Sequence, residues 1–288
     1  MKQRLPSWFK QEIPEKETVS LQSLLGEFGL QTVCQEAMCP NIVYCFKRKK
    51  ATFMILGPAC TRSCAFCAVA KSAGALAPDP GDEDQRISEA VKEMGLKYAV
   101  ITSVTRDDLP DGGAGAFART VKAIKDANKD VKVEVLIPDF EGRVGSLKIV
   151  LDSHPNVLAH NIETVKRLYP EVRPGADYQL SLDILAKAKE LSPAVFTKSS
   201  LMLGLGETEA EVIEAMHDLT GSGCDILTLG QYLAPSDSHY PVKEFVSIEE
   251  FERLRNIGIA VGFKVVLSGP LVRSSYKAEE VFEEIKSV

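Results

Sequence analysis

From residue 51 onward, apolar and β-branched runs alternate with charged, amphipathic stretches, and few folds accommodate that rhythm. Strands are expected at Ala51–Gly57, Lys97–Ser103, Lys132–Ile137, Asn156–His160, Phe196–Leu203 and Asp225–Gln231, with a late one near Gly262–Leu267. Helices are expected at Asp84–Met94, Ala114–Ala127, Gly145–Leu151, Ile162–Tyr169, Gln179–Leu191, Glu207–Thr220, Ile248–Ile257 and Ala278–Lys286. Strands separated by helices call for right-handed crossovers and a parallel sheet. Six such units fall short of a closed eight-stranded barrel. The expectation is therefore an α/β fold, a partial (β/α)6 parallel barrel over residues 51–268. Residues 1–50 and 269–288 fall outside that count and read as N-terminal and C-terminal extensions packed on the barrel.

In such a barrel, functional groups gather on the loops that follow strand C-termini. Here those loops offer Cys60, Cys64 and Cys67 after the first strand, and Ser103, Thr105, Arg106, Asp107 and Asp108 after the second. Asn161 and Glu163 follow the fourth, and Gln231 and Tyr232 the sixth. All would line one mouth.

Six of the seven cysteines fall in two tight groups, Cys34, Cys39 and Cys45, then Cys60, Cys64 and Cys67. Three thiolates on one short loop read as a metal site. The spacing Cys-x3-Cys-x2-Cys suits a cubic iron–sulfur cluster with three protein ligands and one open iron. A zinc site would want a fourth ligand, which Cys39 or Cys45 could supply. Cys224 stands alone before an apolar run and reads as core packing. The four histidines share no metal spacing, and Gly204-Leu-Gly206 lacks the third glycine of a dinucleotide loop.

Composition supports a globular chain of 288 residues, 45% hydrophobic and 26% charged. A net charge of −6 does not favour nucleic-acid binding. The basic run Lys47 to Lys50 reads as a solvated loop edge or as a patch for an acidic partner. No apolar run approaches the length of a spanning helix. The N-terminal stretch lacks a signal peptide's apolar core, and Glu12, Glu15, Glu17 and Glu27 argue against a transit peptide. A cytoplasmic protein with reduced cysteines is expected.

The Cys60 group, with Phe66 before its last cysteine, resembles the signature of the radical S-adenosylmethionine enzymes. The Cys34 group lies in Thr-Val-Cys34-Gln-Glu-Ala-Met-Cys39-Pro-Asn-Ile-Val-Tyr-Cys45 and resembles the auxiliary-cluster motif of the lipoyl synthase family. Further stretches are similar to that family: Thr102–Ala114, His160–Leu168, Val172-Arg-Pro-Gly-Ala, Lys198–Thr208, Leu227–Pro235 and Gly269-Pro-Leu-Val-Arg273-Ser274-Ser275-Tyr276. The resemblance spans about residues 20 to 280. It departs at Pro58-Ala59, Ala70–Gly74 and Lys49-Lys50, around the first cluster's loop, with no ligand lost.

The resemblance implies two 4Fe–4S clusters. One is held by Cys60, Cys64 and Cys67 and binds S-adenosylmethionine through its open iron. The other is held by Cys34, Cys39, Cys45 and a serine, assigned to Ser275 with Ser274 the close alternative. Serine is a hard ligand for iron in such a set, as suits a cluster that must come apart. The implied reaction starts from an octanoyl group amide-linked to a lysine of a lipoyl carrier domain. Two S-adenosylmethionines per turnover give 5′-deoxyadenosyl radicals that abstract hydrogen at C6 and then C8, and sulfur from the auxiliary cluster joins each carbon. The carrier would be a 2-oxoacid dehydrogenase acyltransferase subunit or glycine-cleavage H protein, and the reductant ferredoxin or flavodoxin. Neither nucleic acid nor a membrane is an expected partner. Cofactor contacts are expected from Phe66, Ser103, Asn161 and Glu163, and support of the serine ligand from Arg273. For Asn161 and Glu163 the plainer role is a helix cap and first-turn carboxylate; for Arg106, Asp107 and Asp108 it is a loop salt bridge instead of a substrate contact. Competing functions are another sulfur-inserting radical enzyme, biotin-synthase-like or methylthio-transferring, and a two-cluster electron carrier.

Overall fold

The computed structural model describes residues 5–9, 16–72 and 81–287. In chain order the strands are β1 (Gln31–Thr32), β2 (Thr52–Ile55), β3 (Ala59–Cys60), β4 (Ala70–Lys71), β5 (Tyr98–Ser103), β6 (Lys132–Leu136), β7 (Val157–Ala159), β8 (Phe196–Leu203), β9 (Ile226–Gln231) and β10 (Val265–Gly269). Eight of them form one sheet in the order β1-β2-β5-β6-β7-β8-β9-β10, and β3 pairs with β4 apart from it. From β2 to β10 every pairing is parallel. Strands covered on both faces read as largely apolar runs, and β2 and β9 bury every residue, with Thr52, Thr228 and Gln231 the polar exceptions. The late strand joins the sheet as a seventh parallel member, with Val265 opposite Ile226.

The two ends of the barrel differ. Tyr98, Val157, Ile226 and Val265 begin their strands and pack with Ala278, Val281, Phe282 and Ile285 of the last helix, Ala278–Lys286. Phe282 meets Tyr98 and Phe196 at ring separations of 5.4 and 6.2 Å. That helix plugs the N-terminal end of the barrel, and the C-terminal end stays open for a site.

The segment Ile162–Tyr169 is not the helix that its pattern suggests. Glu163 adopts a left-handed φ of 64° and bridges to Leu201. Its N–H bonds Ser200 O, and its carbonyl accepts from Met202. The added pairing with β8 outcompetes local helix propensity, and only a 3₁₀ turn (Lys166–Leu168) and the helix Tyr169–Val172 follow. The helix expected from Glu207 starts at Glu209 instead. Thr208 and Glu211 form a capping box there, while the Glu207 carboxylate accepts from the backbone of Gly204 and Leu205. Short helices at Val33–Glu36 and Ile42–Lys47 flank the first cysteine group. The helix Lys16–Glu27 before them sends Leu21 and Leu25 into the same core as Phe53, Ile87 and Val91.

Candidate active site

Cys60 ends β3, and its loop is held from three sides. Thr61 N–H bonds Thr105 O, Ala65 N–H bonds Val172 O, and Ser72 N–H bonds Cys60 O. Arg62 forks between two carboxylates, reaching Asp107 at 2.9 and 3.0 Å and Asp139 at 2.7 Å. Paired in this way, Arg62 ties the cysteine loop to the loops after β5 and β6. The Cys60 Sγ accepts from the N–H groups of Arg62 and Thr105 at 3.4 and 3.3 Å. Such donors stabilise a thiolate bound to iron.

The Cys34 group is built by separate local devices. Thr32 caps the helix bearing Cys34, Met38 takes a left-handed φ of 51° before Cys39, and Cys45 lies within Ile42–Lys47. The C-terminal segment 270–276 is pinned against it. Asn41 Nδ2 donates to Leu271 O at 2.5 Å, and Thr52 Oγ1 donates to Ser275 Oγ at 2.8 Å. Val272 O approaches β9 so closely that a Cβ at Gly230 would lie 2.0 Å from it. Arg273 lies half-buried beside Cys39, and burial pulls its pKa down.

Between these parts lies a cavity of about 500 Å³, within the size range of small-molecule sites. Cys60, Cys64 and Cys67 face it, as do Cys34 and Cys39, whereas Cys45 does not. A smaller chamber of about 70 Å³ is lined by Cys34, Cys39, Cys45, Thr52, Arg273 and Ser275. Ser275 borders both spaces, and Ser274 only the larger.

Burial pushes the Cys34 and Cys67 thiols up to about 11 and Cys45 to about 12, and the charges of neighbouring cysteines add to the rise. All six are free thiols. Thiols that burial and their neighbours hold protonated are a donor set that a cation must deprotonate as it binds. Among the described residues, no three His, Cys, Asp or Glu donors converge on one ion-sized point. Thiols set around open volume fit a cluster of several irons better than a lone zinc, whose bonds to sulfur span about 2.3 Å.

The lining near Cys64 is polar and incompletely bonded. Ser103 Oγ, His160 Nε2, Asn161 Oδ1 and Arg173 Nε are buried without a hydrogen-bond partner, and all four residues line the cavity. Buried polar atoms are rarely left so, and four on one wall fit a polar ligand. Asn161 Nδ2 holds Glu163 Oε1 at 2.9 Å. Burial raises the Glu163 pKa while Arg173 opposes the rise. His160 is neutral, with a pKa lowered to about 4 chiefly by burial. Its Nδ1 lies 2.9 Å from Ile137 O, which leaves Nε2 as an acceptor facing the cavity. Phe66 supplies apolar surface.

The structure thus brings Phe66, Ser103, Asn161, Glu163, Arg273 and Ser275 to one space with five of the six grouped cysteines, Cys45 lying in the adjoining chamber. The helix-cap role for Asn161 and Glu163 does not apply, since no helix starts there. Arg106 and Asp108 form a two-bond ion pair at 2.8 Å, and Asp107 bonds Arg62. Gln231 borders the cavity but spends its amide on Leu203, Tyr232, Glu244 and Val246 as a strut. Cys224 is buried among apolar residues. Sequence reasoning assigned no role to Arg62, His160 or Arg173. Arg173 stood within the quoted Val172-Arg-Pro-Gly-Ala stretch, whose resemblance to the family was the available signal.

The family model of the Radical SAM superfamily matches residues 54–219. The lipoyl synthase of Alkaliphilus metalliredigens is 52% identical over 282 residues, covering 98% of this chain and 97% of the relative. That of Geobacter metallireducens is 53% identical over 275 residues, 96% of each chain. Among solved structures, HydG, a maturase of the FeFe-hydrogenase, superposes with a TM-score of 0.60 at 18% identity, over 81% of this chain and 54% of that one. Methylornithine synthase (PylB) gives 0.54 at 14% identity, over 75% and 70%. These two likenesses concern the fold alone.

Proposed function

This chain belongs to the lipoyl synthase family of radical S-adenosylmethionine enzymes, and from that premise we propose how its residues divide the work. The activity is radical insertion of two sulfur atoms, at C6 and C8 of a protein-bound octanoyl-lysine, to give the lipoyl group. An iron–sulfur cluster and S-adenosylmethionine are its cofactors. An unactivated methylene C–H has to be broken, which no side-chain base in this cavity can do, so the bound cofactors supply the radical and the sulfur.

Our reading assigns a 4Fe–4S cluster to each cysteine group, with Ser275 as fourth ligand of the auxiliary one. Thr52 supports Ser275 over Ser274, because its hydroxyl donates to the Ser275 oxygen, and Ser275 alone of the two serines lines the chamber that holds Cys45. Arg273 is the cation beside Cys39 that offsets the charge of the thiolate set. In this reading Glu163 and Asn161 hold the ribose hydroxyls of S-adenosylmethionine and Arg173 a carboxylate, which the unpartnered Asn161 Oδ1 and Arg173 Nε support. The observation that carries the reading is the shared wall: Cys34, Cys39 and Ser275 border the same cavity that Cys60, Cys64 and Cys67 face. A sulfur donor on that wall lies open to a carbon radical made within, as bond formation at roughly 3–3.5 Å requires. The apolar lining of Val33, Ala37, Val69, Leu233 and Val272 suits an octanoyl chain. The carrier would be an acyltransferase lipoyl domain or glycine-cleavage H protein, with ferredoxin or flavodoxin as electron donor. We read residues 1–50, 51–268 and 269–288 as auxiliary-cluster extension, barrel, and serine-bearing closure.

The test is an anaerobic incubation of the loaded protein with an octanoyl-lysyl peptide, S-adenosylmethionine and dithionite. Mass spectrometry should find a peptide with two added sulfurs; 5′-deoxyadenosine with an unmodified peptide would sink the substrate assignment. Arg173→Met should raise the KM for S-adenosylmethionine about tenfold or more, since a hydrogen bond to a charged group is worth about 1.5–3 kcal/mol. The initial rate of 5′-deoxyadenosine formation reads this. Gly230→Ala should displace segment 270–276 and lower iron content from about eight to about four per chain, with 5′-deoxyadenosine formation retained.

A further inference from the structure

The auxiliary ligands face two ways. Cys34, Cys39 and Ser275 form part of the main cavity's wall, and on their other side lies the smaller chamber, where Cys45 joins them. That chamber reaches the surface, since Arg48, Lys277 and Glu280 in its lining are exposed. Tyr44 and Tyr276 line it half-buried, with ring centroids 5.7 Å apart. The Arg48 guanidinium lies 3.7 Å over the Tyr44 ring, and Lys277 Nζ lies 5.7 Å from the centre of Tyr276. Two rings held by each other and by exposed cations have the form of a gate. The charges at this opening are Arg48, Lys50 and Lys277 against Glu279 and Glu280, with Lys50 paired to Glu279. Lys47 and Lys49 stand exposed beside them.

An enzyme that draws sulfur from its own cluster has to receive another before it can act again. During turnover the main cavity holds S-adenosylmethionine and the acyl chain. Resting on the function proposed above, we infer that the outer chamber is the loading port of the auxiliary site. There an anionic, thiolate-ligated 4Fe–4S cluster presented by a donor protein exchanges its ligands for Cys34, Cys39, Cys45 and Ser275. The exchange is balanced: each incoming iron–ligand bond to the donor breaks as one to this chain forms. The protons of the three thiols and the serine pass to the vacated donor ligands, and no iron or sulfur changes oxidation state. The exposed cations steer the anion, and the tyrosine pair opens to admit it.

The experiment follows reloading, not turnover. Loaded enzyme completes one turnover with octanoyl-lysyl peptide, and a chelator clears the remnant iron. A 4Fe–4S cluster ligated by 2-mercaptoethanol is then added without reductant, and iron and acid-labile sulfide per chain are measured over time. Reloading is expected to proceed at one rate whether or not fresh peptide and S-adenosylmethionine fill the main cavity. Arg48→Glu combined with Lys277→Glu should slow it about tenfold, and Tyr44→Ala should speed it about tenfold through loss of one ring–ring and one guanidinium–ring contact. First-turnover product should stay the same in all of them. Reloading blocked by bound peptide in the unaltered protein overturns the port, and that arm needs no variant to fold. Variants that reload at the unaltered rate overturn it equally. A first turnover that yields 5′-deoxyadenosine but no lipoyl product overturns the functional reading instead, whereas failure of the port alone leaves that product intact.

Discussion

Cys45→Ala is expected to produce 5′-deoxyadenosine much as the unaltered protein does while adding no sulfur to the octanoyl peptide, and Cys64→Ala is expected to do neither. The split follows from position. Cys45 lines only the outer chamber, on the far side of Cys34 and Cys39 from the cofactor wall, so its loss leaves Ser103, Asn161, Glu163 and Arg173 in place. Cys64 lies among the groups proposed to bind S-adenosylmethionine, close enough that Arg173 and Glu163 both bear on its thiol. With Cys64 gone, the cluster proposed for that loop loses one of its three cysteine ligands. Sulfur transfer in Cys45→Ala should fall below detection, because the proposed ligand set would be left with three protein ligands, one of them a serine, for four irons. Paired assays of 5′-deoxyadenosine and peptide mass check both variants. Sulfur added by Cys45→Ala at an undiminished yield would remove the auxiliary cluster from the reaction.

Most of this arrangement was legible in the chain because it is local. The two cysteine groups each fit within a dozen residues, and the strand–helix alternation needs only short windows, so Ala114–Ala127 and Ala278–Lys286 fall where their periodicity places them. What escaped were features decided across the chain. Glu163 reads as helical until β8 offers it a bridge, and then it takes a left-handed backbone whose strain is spent orienting a carboxylate into the cavity. Arg62 pairs with Asp107 and Asp139, 45 and 77 residues away, and no local pattern announces such a clamp. The N-terminal helices carry mixed apolar and charged residues with only the two-residue strand β1 among them, and the first packs on the core that holds Phe53 and Val91.

The same blindness covers a charge pair at the other end of the barrel, and the largest stability effect is expected there. Glu134 interrupts the apolar run of β6, and Lys198 sits in the polar stretch Thr197–Ser200 of β8. Each looks like a solvent-facing alternation in its own strand, yet they are 2% and 0% exposed. Lys198 Nζ bonds Glu134 Oε1 at 2.8 Å, and Tyr98 OH bonds Oε2 at 2.7 Å. Burial and the neighbouring carboxylate both raise the Tyr98 pKa, so the phenol stays protonated and donates. The trio sits just inside the helix that plugs the barrel, where Tyr98 also touches Phe282. Lys198→Met leaves a buried carboxylate with one neutral donor and should cost about 3–5 kcal/mol, a large share of the roughly 5–15 kcal/mol that holds a domain together. The midpoint of urea unfolding should fall accordingly. Replacing the pair together, as Lys198→Met with Glu134→Leu, should recover most of the loss, because an apolar pair of similar volume no longer contains an unmatched charge. If the single and double variants unfold at the same midpoint, the lysine contributes through its packing and not through its charge.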